Sequence, residues 1–151
     1  MPIKYIHTNI VSENWKALVD FYINVFDCEI ASPVRDLSGD WLEKGTGVKD
    51  AQINGVHLLL PGHGENGPTL EVFQYSKNEP KPLSPNANRE GFGHIAFQVD
   101  NVEDILNKLI KFGGKALGGI VTKDFPSGCL TFVYATDPEG NIVEIQSWKA
   151  N

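Results

Sequence analysis

Two stretches of this 151-residue chain follow one plan, and that internal repetition limits its fold more than any other feature. The first reads Lys4-Tyr5-Ile6-His7-Thr8-Asn9-Ile10-Val11, then Ser12-Glu13-Asn14, then Trp15, Leu18, Val19, Tyr22, Ile23 and Phe26 at helical spacing. The second reads Gly93-His94-Ile95-Ala96-Phe97-Gln98-Val99, then Asp100-Asn101, then Val102, Ile105, Leu106, Leu109, Ile110 and Phe112. Each is a strand with an early histidine, a capped turn and an amphipathic helix. Ser12 or Asn14, and Asp100 or Asn101, can accept the orphan amide protons at the helix starts. Gly113-Gly114 stops the second helix with left-handed backbone, while Asp27-Cys28 marks the end of the first.

Three β-like runs follow each helix: 29–35, 51–60 and 69–75 in the first half, 115–121, 130–135 and 141–148 in the second. The segments 61–68 and 137–140 are rich in Gly, Pro, Asn and Asp and separate the last two strands of each set. The expected fold is α+β, a single domain of two tandem βαβββ modules at about 1–75 and 92–149. Pro80, Pro82 and Pro85 make 76–91 a linker. Residues 37–48 are expected to form a loop or a short helix over a pocket.

Side chains alternate faces along a strand. Tyr5, His7 and Asn9 therefore share a face, opposite Ile6, Thr8 and Ile10. His94, Ala96 and Gln98 oppose Ile95, Phe97 and Val99. Glu71 lies with Thr69, Phe73 and Tyr75, and Glu144 with Gln146 opposite Val143 and Ile145. One face is aliphatic and suits packing under the helices. The other carries histidines, glutamates, glutamines and aromatics, a composition too selective for a merely wet sheet face. Each half supplies one His early in its first strand and one Glu in its last. His7, Glu71, His94 and Glu144 are accordingly the expected ligands of one divalent cation, in a cleft lined by a curled mixed sheet with the helices outside. Two neutral imidazoles and two carboxylates suit such an ion in charge and donor type. Mixed N/O donors admit Zn, Ni, Co, Mn or Fe. His57 and His63 stand outside the repeat and are not expected to be ligands. Asn9, Trp41, Phe73, Tyr75, Gln98 and Phe132 are candidate substrate-pocket residues.

Charge narrows the partners. Thirteen basic against nineteen acidic side chains give a net charge of −6, which disfavours a nucleic-acid partner. No apolar run approaches the ~20 residues of a membrane helix, and the N-terminus has no apolar signal segment. Two distant cysteines, Cys28 and Cys129, form neither a disulfide framework nor a zinc motif. A cytoplasmic protein acting on a small molecule, with neither nucleic acid nor membrane as partner, is the expectation.

The segments Ile6–Asn9, Asp20–Phe26, Gly93–Asp100 and Asp137–Ile145 resemble the vicinal-oxygen-chelate superfamily, which includes glyoxalase I, methylmalonyl-CoA epimerase, extradiol dioxygenases, and fosfomycin and bleomycin resistance proteins. The resemblance implies paired βαβββ modules around a metal cleft, and often a homodimer. Glyoxalase-I-like members place a His or Gln, a Glu, a His and a Glu on the metal, matching His7, Glu71, His94 and Glu144. It further implies a metal-dependent lyase or isomerase that abstracts a proton next to a carbonyl of a small substrate, with thiol and CoA conjugates among the candidates. Glu144 is then the base and Glu71 its counterpart. Two alternatives stay open: an extradiol-type dioxygenase with iron at His7, His94 and Glu144, and a non-catalytic drug- or metabolite-binding resistance protein.

Overall fold

The computed structural model describes residues 2–151. The chain divides into two units, one ending at Pro80 and the other beginning at Lys81. The first contains β1 (His7–Val11), α1 (Trp15–Phe26), β2 (Glu29–Ile30), β3 (Arg35–Ser38), α2 (Asp40–Thr46), β4 (Gln52–Leu59) and β5 (Thr69–Tyr75). The second contains β6 (Ile95–Gln98), α3 (Val102–Lys111), β7 (Lys115–Ala116), β8 (Val121–Phe125), β9 (Gly128–Thr136) and β10 (Ile142–Ala150). The protein is α+β, with one five-stranded mixed sheet in each unit and no closed barrel among the described residues.

The two sheets share a topology. The first runs β1-β5-β4-β2 with β3 also on β4, and the second runs β6-β10-β9-β7 with β8 also on β9. In each, the first strand pairs parallel to the last and every other pairing is antiparallel. The sequence suggests one strand over 29–35, but two form. Pro33 lacks an amide proton and interrupts the ladder. In the second unit Gly118-Gly119 lies between β7 and β8, so each unit has one strand more than βαβββ provides. Residues 40–46 are helical, which decides between loop and helix for that stretch.

Local chemistry sets the helix ends. The Asn14 side chain accepts from the Ala17 amide (3.3 Å), and the Asn101 side chain from the Asp104 amide (3.0 Å). Asp27 closes α1 in the left-handed conformation at φ 56°, a position that a short polar side chain tolerates. After α3 the chain passes so close to its neighbours that a Cβ on Gly114 would lie 2.4 Å from the Thr136 carbonyl oxygen. Only glycine fits there.

Helices α1 and α3 each cover the aliphatic face of their own sheet. Leu18, Tyr22 and Val25 of α1 are buried, as are Val56, Leu58, Leu70 and Val72 of β4 and β5. Leu106 and Leu109 of α3 belong with Val133, Ala135, Val143 and Ile145 of β9 and β10. Burying each such side chain contributes about 1.5–3 kcal/mol. The opposite face of the first sheet carries a smaller apolar cluster at one end. There Leu42 of α2 packs with Ala51 and Ile53, flanked by Leu37, Phe73 and Tyr75.

Candidate metal centre

Strand register assembles the polar face. Glu71 in β5 pairs with Asn9 of β1 on one side and His57 of β4 on the other. One pair further along, Phe73 stands between Val11 and Gly55, and Gly55 faces Arg35 of β3. Gly55 has no side chain for a reason: a Cβ would lie 2.1 Å from the Val72 carbonyl and 2.9 Å from the Phe73 ring. The Phe73 ring instead meets the His57 ring edge-on at 5.7 Å.

Glu71 is 7% exposed, deep for a carboxylate. Its Oε1 lies 2.8 Å from His7 Nε2 and its Oε2 lies 2.8 Å from His57 Nε2. Asn9 Nδ2 donates to Oε1 at 3.4 Å. The remaining His57 nitrogen, Nδ1, is 3.4 Å from Thr69 Oγ1. Burial pushes the His57 pKa down; the Glu71 carboxylate opposes this, while the Arg35 and His7 charges reinforce it. Desolvation prevails, so His57 stays neutral near pH 7, and its Nε2–H donates to a carboxylate that can only accept. Arg35 Nε is buried without a hydrogen-bond partner, which costs free energy unless a ligand supplies an acceptor.

His7, His57 and Glu71 offer three ligand atoms within 4.8 Å of one another, the one such group of three among the described residues. The set fits a divalent cation: two imidazoles supply nitrogen, and the buried carboxylate supplies the negative charge that a cation offsets. The group includes His57, which the sequence-based reading does not expect as a ligand. A signal was present. Stepping three residues outward from each end of the 61–68 turn, from Leu60 and from Pro68, reaches His57 and Glu71.

In the second unit Glu144 of β10 pairs with Ala96 of β6 and with Tyr134 of β9. Gln146 Nε2 donates to Glu144 Oε2 at 3.0 Å. His94 lies one residue before β6, with its ring 4.6 Å from that of Tyr134. The repeat therefore equates His7 with His94, Asn9 with Ala96, Glu71 with Glu144, and His57 with Tyr134. Of the candidate pocket residues, Asn9 and Phe73 touch the first unit's donor group, and Tyr75 packs in the Leu42–Ile53 cluster. Trp41 on α2 is 62% exposed. Gln98 lies exposed on β6, and the Phe132 ring meets Tyr134 at 5.9 Å in the second unit.

Residues 4–145 match the family model described as Glyoxalase/Bleomycin resistance protein/Dioxygenase superfamily. No match is found among curated protein sequences. Among solved structures, a glyoxalase family protein from Bacillus cereus is similar at 14% identity and TM-score 0.77, over 97% of this chain and 93% of that one. A glyoxalase family protein from Enterococcus faecalis is similar at 23% identity and TM-score 0.59, over 96% of each chain. The trypanothione-dependent glyoxalase I of Leishmania major is similar at 19% identity and TM-score 0.63, over 97% of this chain and 87% of that one.

Proposed function

Because the chain belongs to the Glyoxalase/Bleomycin resistance protein/Dioxygenase superfamily, we propose that it is a metal-dependent lyase or isomerase that moves a proton next to a carbonyl of a small molecule. The observation that carries this reading is the buried Glu71 carboxylate, held at 2.8 Å by imidazole nitrogens on both of its oxygens. A sheet face that served only to meet water would leave such a carboxylate solvated.

The proposed donors are His7, Glu71, His94 and Glu144. The chemistry a bound Zn, Ni, Co, Mn or Fe ion supplies is Lewis-acid polarisation of adjacent substrate oxygens. The chain's own carboxylates do the proton work. Glu144 takes the proton from the carbon beside the carbonyl, breaking C–H and forming O–H, and returns it to the neighbouring carbon. Gln146 holds one oxygen of that carboxylate and fixes its direction. Glu71 is the counterpart from the first unit, and Asn9 and Phe73 border it as pocket residues. The proposal includes a homodimer in a reducing cytoplasm, consistent with two free cysteines.

Elemental analysis of protein purified without chelator, followed by assays with a hemithioacetal, methylmalonyl-CoA and a catechol in deuterated water, tests this. Bound metal together with solvent deuterium in the product supports it; a metal-free protein that binds ligand without turnover sinks it. One observation favours a second reading. His7, His57 and Glu71 make a two-His, one-carboxylate group, the donor type of iron oxygenases, for which catechol-dependent oxygen uptake is the expected result.

A further inference from the structure

We propose that His57 is a metal ligand that joins His7 and Glu71 on the ion. The inference rests on the metal-dependent reading above and adds a donor to it. Nothing in the repeat assigns His57 this role.

Four observations carry it. The three donor atoms lie within 4.8 Å of one another, close to the ~3–4 Å that separates donors around one ion with bonds of ~2.1 Å. The His57 imidazole is held on both sides of its ring: Phe73 packs against it, and Thr69 Oγ1 stands 3.4 Å from Nδ1. A proton moved from Nε2 to Nδ1 would be donated to the Thr69 hydroxyl and leave Nε2 free to bind an ion, the orienting contact that ligand histidines commonly have. Glu71 is nearly buried and keeps both oxygens on imidazole nitrogens, so replacing one shared proton with a cation adds a charge that the carboxylate needs. Finally, the equivalent position in the second unit is Tyr134, and no group of three donors forms within that unit among the described residues. The third donor is therefore an addition peculiar to the first unit, placed where β4 crosses Glu71.

The test uses the full-length protein and Co2+ and Zn2+ alone as probes. Binding is measured by chelator competition, and Co2+ absorption reports the donor set, for the unmodified chain and for His57→Ala and His57→Gln. His57→Gln keeps an N–H for Glu71 but removes the imidazole, which separates a ligand from a hydrogen-bond partner. At least tenfold weaker binding and an altered Co2+ spectrum in both His57 variants is the expected result. Unchanged affinity and spectrum in His57→Gln overturns the inference and leaves the four-donor reading standing. Absence of binding by the unmodified chain removes both. Imidazole 15N shifts on adding Zn2+ to the unmodified protein give the same answer without substitution: the His7 and His57 ring nitrogens move together, and a stationary His57 overturns the assignment.

Discussion

Cys28 and His57 show how burial sets chemistry one residue at a time. Burial, reinforced by the Asp27 charge, pushes the Cys28 thiol up to about 12, so it stays protonated and unreactive at neutral pH. Cys129 is half-exposed, and its thiol is raised chiefly by its contact with Asp124. A disulfide reagent at pH 8 should modify one thiol in the folded protein and two after denaturation, with Cys129→Ser abolishing the native reaction. For His57 the folded pKa is lowered, so below the unfolded value of about 6.5 the unfolded chain takes up the proton more readily. Its contribution to stability is complete above that value and is lost as the pH falls through it toward the folded value. The melting temperature of metal-free protein should therefore fall on acidification from about pH 7.5 to about 5.5, and His57→Gln should flatten the slope.

At the scale of elements, the β4–β5 hairpin brings His57 to Glu71 while β1 supplies His7, and Gly55 lets the hairpin close. An alanine there would meet the Val72 carbonyl at 2.1 Å, so the strands must separate or shift. Gly55→Ala should cost about 1–3 kcal/mol and weaken Zn2+ binding together, as a thermal melt and a metal titration on one sample will show. Much of this level was legible in the sequence. The period-3.6 pattern gave α1 and α3 nearly to the residue, and strand parity put His7, Asn9 and Glu71 on one face, where the β1–β5 register places them. His57 does not stand out in the repeat, which pairs it with Tyr134. What brings it to Glu71 is a cross-strand partner, which periodicity within a strand does not contain. Pro33 was equally visible, yet only the ladder shows that it stands between Glu29–Ile30, which pair with Leu59 and Leu58, and Arg35, where a second strand begins opposite Gly55.

For the whole molecule, duplication is the governing fact: two sheets of one topology, each with its helix, meet at Pro80 and Lys81 in sequence. The connecting stretch has neither helix nor strand, and Leu83 and Phe92 are fully exposed. Limited chymotrypsin digestion should cut first there and yield two fragments near half the chain's mass, because exposed backbone outside regular hydrogen bonding is what proteases enter. Duplication also defines how near the second unit stands to the first. Tyrosine codons become histidine codons by a single base change, and Tyr134 already pairs with Glu144 and touches His94. Tyr134→His would copy the trio into the other half, and such a protein should titrate with one more equivalent of zinc than its parent. At this position one base change spans the difference between the halves, so a lineage carrying this gene has a short mutational path to a second copy of the trio, or back again.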